Sequence, residues 1–187
     1  MTKLWDKGNV LSIKLRDDLF TLAQVSVSPC LMFFYVANRD VVWQKVDLNH
    51  VDLLFCVAVA TARMKPLIAE QVDASGAIPT SLPMPKLVIK PRLNFAGGHA
   101  FRGGDLIEMD DRGETTGRPI IKGNLSVETD TETIRQYELT NMWVVPEKLR
   151  DRLIRYFDTG VNWDPHKELV FPGITAPPKK TAWLPAD

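Results

Sequence analysis

The chain has 187 residues, 45% hydrophobic and 25% charged, a balance that allows one domain with a sizeable core and argues against disorder, a fibrous repeat or a disulfide scaffold. Lys plus Arg and Asp plus Glu both number 23, for a formal net charge of zero, which removes any bulk attraction to nucleic acid or an anionic membrane. Charge recognition by this protein is therefore local.

The first ten residues, MTKLWDKGNV, lack a basic segment followed by an apolar one. The longest apolar run, residues 51–62, contains Asp52 and falls short of the roughly 20 residues a membrane helix needs. A cytoplasmic protein without membrane contact is expected. Three strands come first: Asn9 to Leu15, Leu19 to Ser26 and Leu31 to Val36, rich in Val, Leu and Phe, with Asp17-Asp18 as a tight turn. Val41 to Val46 reads as a short strand carrying Trp43. Leu53 to Ala60 fits a fully buried strand or a short buried helix, which periodicity does not separate. Cys30 and Cys56 sit inside apolar runs as small buried hydrophobes, in keeping with a reducing compartment.

Thr61 to Gln71 predicts a short helix interrupted at Pro66. Pro79, Pro83, Pro85 and Pro91 predict an extended connection from Ser75 to Pro91, with a short edge strand at Leu87 to Lys90. A strand is expected in Tyr137 to Val145. Pro146 to Asp158 is the clearest helix: Pro146 suits its first position, Leu149, Leu153 and Tyr156 or Phe157 line one face, Asp151 can pair with Arg155, and Gly160 can stop it. From Pro172 the chain is proline-rich. The expected fold class is α+β: one β-rich domain over residues 1–171, mostly antiparallel twisted sheet or partly open barrel with a few helices, and an extended tail over 172–187.

Two segments carry local chemistry. Gly97, Gly98, His99 and Arg102 lie in a stretch without acids, where paired glycines can cradle an anion through backbone amides and arginine can clamp it. The alternative is that these glycines make turns, and neither the dinucleotide nor the phosphate-loop spacing is present. Phe95 and Phe101 beside these cations can stack bases, but two aromatics also suit a half-exposed hairpin, which argues against nucleic acid. The charge then reverses in Asp105, Glu108, Asp110, Asp111 and Glu114, followed by Glu128, Asp130 and Glu132. Such acids can meet a basic partner, or can be a solvated turn at Asp110 to Gly113.

No catalytic residue, metal ligand set or cofactor is assigned. Asp158-Thr159-Gly160 matches an aspartic-protease triplet but ends a predicted helix. His50, His99 and His166 are isolated in sequence, and there is no nucleophile elbow.

The stretch Lys7-Gly8-Asn9-Val10-Leu11-Ser12-Ile13-Lys14-Leu15, with Asp17-Asp18 and Leu19 to Val25, resembles the opening hairpin of the immunity protein 26 family of bacterial polymorphic-toxin and contact-dependent inhibition systems. The run Leu53 to Val59 is similar to a later core strand. The resemblance implies a cytosolic antitoxin that binds the C-terminal domain of one cognate toxin, for example a nuclease, and occludes its active site, with no cofactor. The alternative is a small hydrolase or an anion- or nucleic-acid-binding module using the Gly97 to Gly104 segment.

Overall fold

The computed structural model describes residues 4–94 and 100–179. Val10–Arg16 (β1), Leu19–Val25 (β2) and Cys30–Asn38 (β3) form an antiparallel meander. Asp17-Asp18 is the two-residue turn between Arg16 and Leu19, which pair across the hairpin. Val46–Asp47 (β4) is followed by Leu53–Val59 (β5), which is a strand and pairs antiparallel with β3. Helix α1, Thr61–Met64, passes through a 3-10 turn at Lys65–Leu67 into Ile68–Val72 (β6), which pairs with β1. Ala77–Ile78 (β7) lies parallel to β4.

The second half begins with an antiparallel sheet of Leu87–Asn94 (β8), Ala100–Glu108 (β9) and Ile120–Leu125 (β10), in the order β10-β9-β8. Val127–Gln136 (α2), Met142–Trp143 (β11), Pro146–Thr159 (α3) and His166–Val170 (α4) complete the chain. The main sheet has six strands in the order β11-β5-β3-β2-β1-β6 and is antiparallel except where β11 joins β5. The fold is α+β, with an open, mostly antiparallel sheet rather than a closed barrel.

Both faces of the main sheet are covered, which explains why every residue of β2 is buried instead of every second one. On one face Leu11, Ile13 and Leu15 pack with Leu149, Leu153 and Phe157 of α3, and full burial of each such side chain stabilises by about 1.5–3 kcal/mol. On the other face Val10, Phe20 and Leu22 meet Trp43, Met84, Val88 and Ile107. Ser12 points the same way, and its buried hydroxyl accepts a 3.0 Å hydrogen bond from Trp43 Nε1. A third cluster, including Ile89, Leu106, Ile134, Trp163 and Phe171, lies between the small sheet, α2 and α4.

Several expectations are corrected. Pro66 ends the helix after one turn, and the chain turns back as β6 because Ile68 and Val72 find an open edge of β1. The strand at Val41 to Val46 shrinks to Val46–Asp47, although Trp43 is buried as core. The edge strand at Leu87 continues past Pro91, which sits in the outer strand of the small sheet with a register shift beside it. Tyr137 to Val145 is not one strand. Its chain pairs first with β8, where Ile89 N–H donates to Glu138 O at 2.7 Å and Thr140 N–H to Ile89 O at 2.9 Å, and then with β5 through Met142–Trp143. This segment stitches the two sheets together.

Helix α3 matches its prediction, with Gly160 at φ 68° and its N–H donating to Tyr156 O at 2.7 Å. Asp151 lies by Arg150, and Arg155 donates instead to the Trp163 carbonyl. The Asp158 carboxylate takes two 3.1 Å hydrogen bonds from Arg16 Nη1, so the protease-like triplet is a helix end tied to the hairpin. Beyond Pro172, Ile174 is buried and Arg135 Nε donates to Thr175 O at 3.2 Å.

Candidate functional site

The structure separates the eight acids into two groups. Asp105 lies toward the α2 end of β9, while Glu108, Asp110, Asp111 and Glu114 belong to the opposite end and its loop. About 3.3 Å per residue places Asp105 and Asp110 roughly 16 Å apart. Much of this charge is already engaged. Asp105 accepts from Asn124 N–H at 2.8 Å and faces Arg92 Nε at 3.6 Å. Asp110 closes its own turn by accepting from the N–H groups of Arg112 at 2.8 Å and Glu114 at 2.9 Å, which holds its carboxyl below the usual range. Asp111 is lowered by Lys86, whose Nζ lies 2.7 Å away.

Glu128, Asp130 and Glu132 are not a loop cluster. They lie on α2, whose N-terminal dipole favours acids in the first turn. Ser126 caps the helix by accepting from Thr129 N–H at 3.3 Å, and Asp130 accepts from Ser126 N–H at 3.0 Å. Asp130 is buried, and Lys122, Ser126 and Thr129 together hold its carboxyl down to about 2. Glu132 pairs with Arg135 at 2.9 Å. Glu114 and Glu128 are left as exposed carboxylates at the two ends of this surface.

Between those ends runs β10, the outer strand of the small sheet, exposed along its length until Leu125. Register shifts at Ile120/Lys122 and Lys122/Leu125 interrupt its ladder. The first leaves two consecutive isoleucines facing outward, Ile120 at 62% and Ile121 at 53% exposure. Large apolar side chains side by side on a strand edge are the usual material of a protein contact. The bulges disrupt the backbone template, so contact through side chains is favoured over strand addition.

In the glycine segment, Gly97, Gly98 and His99 lie outside the described residues, as does Phe95. Gly103 and Gly104 are inside β9, not in a turn. Gly103 has φ 64°, and a Cβ on Gly104 would stand 2.8 Å from Ile89 Cγ2 and 2.9 Å from Lys90 O, so these glycines serve close packing. Arg102 is exposed on the same strand, and Phe101 packs against the third cluster.

A polar centre that the sequence did not single out joins the stitching segment, α3 and α4. Arg152, 2% exposed, donates to both oxygens of Glu138 at 2.8 and 2.6 Å, donates to Asn162 Oδ1 from Nε at 3.0 Å, and lies 3.9 Å over the Phe55 ring. Burial works against the Glu138 charge, but Arg152 outweighs it and lowers the carboxyl. Beside it, fully buried Asp164 accepts from His166 N–H at 2.9 Å and stands 2.8 Å from His166 Nδ1. Asn141 Nδ2 is 3.2 Å from the same ring nitrogen, and Trp143 packs edge-on at 5.3 Å.

His166 borders a pocket of about 330 Å³ with Lys148, Asp151, Arg152, Arg155, Pro165 and Leu169. Read alone, His166 is isolated; the available signal is an aspartate two residues earlier, across Pro165. Nothing in the sequence shows that residues 138–143 and α3 enclose that pair. Among the described residues no group of three His, Cys, Asp or Glu is placed to hold a metal, and no helix is long and apolar enough to cross a membrane. Cys30 and Cys56 are buried free thiols.

The family described as Domain of unknown function (DUF8309) matches residues 2–176. No curated protein and no solved structure matches the chain.

Proposed function

The chain belongs to the DUF8309 family. On the surface described above we propose that it is an immunity protein, a cytosolic antitoxin that binds one cognate bacterial toxin domain and covers its active site. The observation that carries this reading is the β10 edge: Ile120 and Ile121, both more than half exposed, with the exposed carboxylates Glu114 and Glu128 at either end, the latter held by the Ser126 hydroxyl and its own N–H. An apolar centre rimmed by charge is how protein interfaces combine affinity with selectivity. Acidic rims suit a basic partner such as a nuclease groove, because carboxylates can take the place of phosphates. The N-terminal hairpin, which carries the likeness to the immunity protein 26 family, adds weight.

The test is co-purification with the C-terminal domain of whatever large protein is encoded beside this one, together with rescue of growth from that domain's toxicity. The wild type is expected to form a one-to-one complex. Ile120→Asp with Ile121→Asp should weaken it by about tenfold or more, with a thermal midpoint within about 2 °C of wild type, since exposed substitutions change stability little. Glu114→Lys should slow association and reduce its salt dependence. Asp110→Lys is a poor probe, because it also removes two turn hydrogen bonds. A wild-type protein that neither binds nor rescues ends the immunity reading, and an unchanged affinity in the isoleucine pair moves the interface away from β10.

A further inference from the structure

We propose that the pocket between α3 and α4 binds a small organic anion, holding its carboxylate or phosphate group with His166 Nε2, Arg155 and Lys148. The cavity, about 330 Å³, is within the size range of small-molecule sites. Its histidine is pre-oriented. Asp164, with no exposed surface, lies 2.8 Å from Nδ1 of the ring, and Asn141 Nδ2 is 3.2 Å from the same nitrogen, so Nδ1 is occupied within the fold and Nε2 is left without a partner among the described residues. The second oxygen of Asp164 is buried with no hydrogen bond, as is Arg155 Nε. Arg155 uses Nη2 on the Trp163 carbonyl, so part of its fork remains for an anion. A planar fork beside a fixed imidazole matches the in-plane oxygens of a carboxylate or phosphate.

The other charges refine the class. Arg152, at the floor, is neutralised by both oxygens of Glu138 and adds no free charge. Asp151, 70% exposed beside Arg150, sits at the rim, where it opposes long polyanions such as nucleic acid. One oxyanion group therefore fits better than a chain of them. His166 and Leu169 also border a second, apolar pocket of about 340 Å³ with Leu93, Phe101, Leu139 and Val170. The anion is thus expected to carry an apolar body, with its charged end at His166.

Phenyl phosphate, benzoate and inorganic phosphate are the probes, read by calorimetry and by the imidazole NMR signals, of which this chain has only three sets. Phenyl phosphate or benzoate should bind the wild type, shift the signals that His166→Gln removes, and bind about tenfold or more weakly to Lys148→Met and His166→Gln. Lys148 is exposed, so its variant separates lost binding from lost folding, which Arg155→Met alone does not. Whichever of the two aromatic probes binds more tightly names the anion. Inorganic phosphate binding as well as phenyl phosphate overturns the apolar component. No binding at millimolar probe, or equal binding by wild type, Lys148→Met and His166→Gln, overturns the site. A toxin complex through β10 neither produces nor masks these results.

Discussion

Arg152→Met is expected to lower the free energy of unfolding by about 3–5 kcal/mol, because it strands the buried Glu138 carboxylate without its countercharge. The substitution removes two hydrogen bonds to Glu138, two to Asn162 Oδ1 and the contact over Phe55. It also loosens four parts of the fold together, since Asn162 Nδ2 in turn donates to Leu54 O at 3.0 Å. The measurement is urea unfolding of the single variants and of Arg152→Met with Glu138→Leu. The double variant should recover most of the loss, because an apolar pair of similar volume removes the stranded charge. A single-variant cost under about 1 kcal/mol, the range of exposed ion pairs, means that this pair is solvated.

Lys167 makes the second large prediction, in pH. It is 1% exposed, its Nζ donates to Arg135 O at 3.0 Å, and burial pushes its ammonium down from 10.5 to about 8 against the opposing pull of Glu138. The folded state therefore binds this proton less tightly than the unfolded chain does. Stability from this group is fully present above pH 10.5 and is lost as pH falls through about 8. The interval corresponds to about 3 kcal/mol. Measured by urea unfolding, wild type should gain up to that amount relative to Lys167→Met between pH 8 and 10.5, other titrating groups cancelling in the difference. Parallel curves for the two proteins exclude a buried ammonium at this position.

Legibility followed the range of the interactions. The hairpin of β1 and β2 and helix α3 announced themselves because their signals are local: an acidic turn between apolar strands, a proline start with a glycine stop. The continuous apolar run of β5 marked a buried element but left strand and helix open, and pairing with β3 decided it. Helix α2 was hidden because its acids and threonines look like solvated loop, whereas in the fold Ser126 and Asp130 cap a helix whose buried Ile134 joins the third cluster. The acids at 105 to 132, one patch on paper, were divided by the length of β9 and by their own hydrogen bonds.

By itself the sequence determined the α+β class, the first three apolar strands of the main sheet and the helix over residues 146–158, since period, turn and cap chemistry act within a few residues. Only the tertiary structure decided that residues 138–143 join two sheets, that Ile120 and Ile121 remain exposed on an edge, and that His166, backed by buried Asp164, meets Arg155 and Lys148 around one cavity. The physical reason is that burial and countercharge depend on neighbours far along the chain: Arg152 acquires its role only where Glu138, Asn162 and Phe55 converge on it.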